Sequence, residues 1–222
     1  MAKLKPSQAR AITADWSGIF PEFTVWQPLR LLRRVGPVLQ GICLERATSG
    51  DAYQPIAHVH ALTQDFPVIS LSLAHHLYPP SASTLDTVEA DRHPAEFRAA
   101  AARLEQRSVL PLHRWPTLTE IVRAYRDAAT LQQRGRLPAG VREFEDSVLV
   151  PAAAGDRSLA DESLRAVEEA AGRWSPYEAP PGRPDTKEWL TWLRAMAEDP
   201  VELQASVEQQ IERHRLEEVR TA

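Results

Sequence analysis

Between residues 37 and 77 the apolar and polar positions follow strand spacing, and on either side they follow helical spacing. Val38–Arg46 is rich in β-formers and stops at Thr48-Ser49-Gly50-Asp51, a cluster of turn residues. Tyr53–Leu62 follows, then Thr63-Gln64-Asp65, then Phe66–Leu77. In the last of these runs Ile69, Leu71 and Leu73 alternate with Ser70, Ser72 and Ala74, the two-residue period of a half-buried strand. Short turns between neighbours make antiparallel pairing the default, so the pattern predicts an antiparallel β-meander. Leu29–Val35 adds a short apolar and basic run, and residues 20–28 (FPEFTVWQP) read as an irregular packed segment or a short edge strand.

Helical spacing brackets this region. The first helix is expected over Ser7–Trp16, stopped by Gly18 and Pro21. Residues 78–92 read as a loop. A helix then starts around Pro94, capped by Asp91 or His93, with Phe97, Ala101 and Leu104 on its buried face. Thr117-Leu118-Thr119-Glu120 is a capping box ahead of the stripe Leu118, Ile121, Val122 and Tyr125. Residues 141–150 (VREFEDSVLV) are expected to be a further strand or an extended segment. Ser158-Leu159-Ala160-Asp161 opens another helix, with Leu164, Val167, Ala171 and Trp174 on one face. Pro176, Pro180, Pro181, Gly182 and Pro184 then favour extended backbone over helix. A helix carrying Trp189, Trp192, Leu193 and Met196 and a charged helix from Val201 complete the pattern.

The fold class this predicts is α+β: an N-terminal antiparallel meander packed with helices, then a mainly helical C-terminal half. Four segments are expected: an α+β domain over 1–110, a helical extension over 111–175, a Pro-rich linker over 176–186 and a helical tail over 187–222.

Composition narrows the function classes. The chain has 222 residues and a net charge of −4, without the basic excess of a typical nucleic-acid binder, so nucleic acid is not the expected partner. Lys3, Lys5 and Lys187 are the only lysines, and all other basic residues are arginine. That bias, with many Ala and Pro, fits a GC-rich bacterial genome. The start, MAKLKPSQAR, has no apolar h-region, and no apolar run reaches the roughly 18 residues that span a bilayer. One cysteine, Cys43, permits no internal disulfide. A cytoplasmic protein with no membrane association is expected.

Candidate chemistry concentrates in the meander. His58 and His60 lie two residues apart, so on a strand they share a face at about 6.6 Å spacing. With His75 from the next strand they could hold a divalent metal such as zinc, and Asp65 could add a carboxylate. The competing reading puts these histidines on an exposed face or under a helix with ordinary hydrogen bonds. The HExxH motif and the deaminase signature are missing, as are the phosphate-cradling glycine loops and GxSxG. Cys43, between Ile42 and Leu44, reads as a small buried hydrophobe more readily than as a nucleophile with His58 or His60 as base. Arg30, Arg33 and Arg34 beside Trp26 could bind an anion, or could simply charge an edge strand. Trp189, Trp192, Leu193 and Met196 form either a core stripe or a partner-binding surface.

The order of helix, meander and helices loosely resembles small bacterial immunity or accessory proteins, although no motif carries the likeness. The leading expectation is a non-enzymatic accessory, adaptor or immunity-type factor that works through a protein partner or as a homodimer, with no cofactor. The alternative is a metal-dependent hydrolase using the histidine cluster on the sheet.

Overall fold

The computed structural model describes residues 4–48, 50–77, 86–133 and 135–222. The fold is α+β. Helix α1 (Pro6–Ile19) leads into β1 (Thr24–Gln27), β2 (Arg30–Val35), β3 (Val38–Arg46), β4 (Ala52–Ala61) and β5 (Ser72–His76). These five strands lie side by side in chain order, each antiparallel to the next, and a two-residue strand β6 (Val88–Glu89) pairs with the start of β4. Gly36 and Pro37 form the two-residue link from Val35 to Val38. Gly36 takes φ +53°, which a primed hairpin turn demands at its first position.

Six helices follow: α2 (His93–Arg107), α3 (Leu118–Gln132), α4 (Val141–Ala153), α5 (Arg157–Ala171), α6 (Thr186–Ala197) and α7 (Pro200–His214). The Thr117–Glu120 capping box is formed in both directions at the start of α3. Asp156, Asp185 and Asp199 accept backbone N–H bonds at the starts of α5, α6 and α7. The α2 cap is Arg92, and no side chain makes a cap bond there, in place of the expected Asp91 or His93.

The register of β3 and β4 sorts the sheet into two faces. Ile42, Leu44, Tyr53 and Ala57 pack with α1 and α2 residues such as Trp16, Phe20 and Leu104. Further along this face, Val38, Val59 and Ala61 meet Ile121 and Tyr125 of α3. On the opposite face Leu32 and Leu39 lie under Val207 of α7 and under Leu216 and Val219 beyond it. The remaining core is helical. There α4 is central, packed against α3, α5, α6 and α7, with Phe144, Trp174, Trp189 and Leu193 buried together.

Two sequence expectations are corrected. Residues 141–150 form a helix, not a strand. Buried on several sides by four other helices, α4 shows no clean 3.6-residue stripe, and its valines imitate a strand. Residues 66–71 are not strand: only Ser72–His76 pairs with β4. The Ile69, Leu71, Leu73 alternation therefore does not mark one buried face. Ile69 packs with the Leu32 side, Leu73 packs with the Val59 side, and Leu71 is exposed. Ser49 of the expected turn, and residues 78–85 of the expected loop, lie outside the described residues. No described helix is long and apolar enough to cross a membrane.

Candidate functional site

The histidines of β4 face inward. His58 pairs across from Gly41, and its imidazole occupies the space a side chain at 41 would need: a Cβ there would lie 2.3 Å from its Nε2. Burial, helped by the nearby Arg30 charge, holds His58 down to about 4. His60 accepts the Ser70 backbone N–H on Nδ1 at 3.1 Å, so in its neutral form the proton sits on Nε2, which is buried without a partner. Burial, then the charges of Arg142 and His214, hold His60 down to about 3. His75 pairs across from Ala57, which places it on the opposite face of the sheet from His58 and His60. The structure thus does not bring His58, His60 and His75 together. Asp65 turns to α7 instead, accepting from Gln210 and ion-pairing with Arg213. Among the described residues no three His, Cys, Asp or Glu side chains are placed to share a metal ion.

A chain of hydrogen bonds that the sequence did not signal runs through the other side of the sheet. Trp16 Nε1–H donates to Tyr53 Oη at 3.0 Å. An indole can only donate, so the tyrosine hydroxyl gives its own proton to His93 Nδ1 at 2.8 Å, and His93 Nε2–H reaches Asp15 at 3.0 Å. Burial raises the Tyr53 hydroxyl well above the usual tyrosine range. The chain ties α1, β4 and α2 together with three directed bonds.

The three arginines of β2 divide between the two faces. Arg33 is fully buried, donating to Gln40 Oε1 and to the carbonyls of Pro111 and Arg114, with its guanidinium over the rings of Phe23 and Trp115. Burial lowers it to about 10. Arg30 and Arg34 pair across from Cys43 and Leu39 on the opposite face. Cys43 is a buried free thiol. The α6 stripe points inward: Trp189 and Leu193 are buried, Trp189 Nε1 donates to Glu145, and Trp189 stacks on Trp174. Trp192 and Met196 are partly buried against the same cluster, and Arg183 lies 3.9 Å over the Trp192 ring.

Among several surface clefts of similar size, one of about 430 Å³ lies between β5 and α3. Its strand wall is Leu73, Ala74 and His75. Its helix wall includes Arg123, Ala124, Asp127 and Ala128, with Leu131 at one end and Val109 from the α2–α3 connection. Val109 is 56% exposed and Leu131 82%. The helix wall was legible as the spacing Ala124, Ala128, Leu131, a second stripe beside the buried Ile121, Val122 and Tyr125. The alanines gave it no apolar weight. Compared with protein-family models, curated proteins and solved structures, the chain matches none of them.

Proposed function

We propose that this chain is a protein-binding factor of accessory, adaptor or immunity type, acting without catalysis, and that its partner docks in the groove between β5 and α3. The observation that carries this reading is the coincidence of a sheet edge, unpaired among the described residues, with two large exposed apolar side chains, Val109 and Leu131. Exposed apolar residues gathered at a concave surface mark interaction sites more often than singly scattered ones do. The metal-hydrolase alternative gains no such support. His58 and His60 are buried, and His75 stands on the other face of the sheet.

The test is affinity purification of the tagged full chain from cells that express it, beside Val109→Asp, Leu131→Asp and Leu137→Asp. Leu137 is exposed and does not line the groove, so it serves as the control. The expected result is a partner retained by the parent and by Leu137→Asp, and depleted at least tenfold from both groove variants. Equal recovery from all four proteins overturns the proposal.

A further inference from the structure

The geometry points to how the groove is filled: we infer that it takes an extended peptide segment of about five residues, added as a further strand on β5 with α3 as its second wall. This rests on the protein-binding reading and specifies its ligand class.

Three observations converge on it. The first is main-chain chemistry. Among the described residues β5 pairs with β4 on one side only, and in an antiparallel strand alternate residues turn their N–H and C=O groups away from the partner. Among the described residues no backbone hydrogen bond reaches β5 from an element other than β4, and His75 engages the Leu73 backbone within the strand. A row of unpaired donors and acceptors is complementary to an extended chain, and a helix has none to offer in return.

The second is size. β5 has five residues, about 16 Å at 3.3 Å each. The α3 residues lining the groove run from Glu120 to Leu131, also about 16 Å at 1.5 Å per residue. The strand residues that line the groove are Leu73, Ala74 and His75, so the site accommodates a short segment. The register shift at Ala57/Val59, with Leu73 at φ +51°, breaks the edge and limits how far pairing can spread.

The third is the character of the helix wall. Ala124 and Ala128 stand at its centre, leaving room for the alternate side chains of an added strand that face α3. Leu131 and Val109 give that strand apolar contacts. Among the described residues Arg123 and Asp127 make no salt bridge, and Glu120, which also lines the groove, pairs with Arg114.

The experiment starts from random decapeptides displayed on their own messenger RNA and selected on the immobilised full chain. Selected peptides are resynthesised with single N-methyl groups at every position. Expected is a loss of affinity of at least tenfold at alternate residues, with little change between them, abolished binding to Leu131→Asp, and slowed amide exchange at Leu73–His76 of the unsubstituted chain. Binding that depends on Leu131 but shows a flat N-methyl scan overturns strand addition and leaves the protein-binding reading standing. Peptides indifferent to both Val109→Asp and Leu131→Asp overturn both. Concentration-dependent dimerisation that protects the same amides without peptide overturns the inference in favour of a second copy of the chain at this edge.

Discussion

Gly41 and His58 are a matched pair. The glycine's backbone is ordinary strand, so its necessity is steric: the imidazole of His58 fills the place of its side chain. Gly41→Ala is expected to destabilise by about 1–3 kcal/mol in urea unfolding, although Ala normally suits a strand interior better than Gly. His58→Ala should recover part of that loss, and additive costs would refute the pairing. Asp146 offers a titration instead of a clash. It is buried on α4, Arg142 approaches it at 3.5 Å, Oδ1 has no partner, and burial pushes its carboxyl up to about 7 from an ordinary 3.8. Below pH 4 both the folded and the unfolded chain hold this proton. As pH rises towards 7 the unfolded chain releases it while the folded chain keeps it, so folding loses ground, and above 7 the loss is complete. Asp146→Asn cannot ionise. Its stability relative to the parent should be more favourable at pH 8 than at pH 5, by roughly 2–3 kcal/mol, and an equal difference at both pH values refutes a protonated Asp146.

Among the elements, those marked by turn clusters, caps or β-forming residues were legible, and the helix buried on all sides was not. β3 and β4 fall within one residue of expectation although both faces of each are buried, because β-forming residues and the turn clusters that bound them mark a strand without alternation, and α3 starts at its expected capping box. The α4 segment has apolar neighbours all round and lost its period. The strand expected over 66–77 shrank to five residues because the chain changes faces within it, Ile69 to one core and Leu73 to the other. The candidate site was less legible still. His58, His60 and His75 were grouped by proximity in sequence, but which face a residue takes depends on register, and a bulge altered it. The tryptophan stripe of α6 was visible, and the structure supplies what covers it. Within residues 181–222, Trp189, Leu193, Leu203, Val207, Leu216 and Val219 are buried in the core clusters. Deleting the segment uncovers Leu32, Leu39 and Trp174, and the expected outcome is aggregation or loss of the near-ultraviolet circular dichroism of the packed aromatics. A monomeric fragment that keeps that signal would show the two units to be separable.

Across the whole molecule the sheet is treated differently at its two sides. The β1 side is tied down: Trp26 Nε1 donates to the His214 carbonyl, Arg220 N–H donates to Thr24, and Thr221 bridges to Arg34 in parallel. The β5 side carries no such clasp among the described residues, which is where both proposals place the partner. The clasp also sets an order of events during synthesis. Leu32 and Leu39 leave the ribosome well over a hundred and fifty residues before the segment that shelters them, and Arg220 and Thr24 are separated by 196 positions. At about 5–20 residues per second, the nascent sheet spends on the order of ten to forty seconds with one apolar face bare. A chain truncated before Pro200 is therefore expected to leave that face bare and to be retained by a holdase chaperone, which co-purification would check.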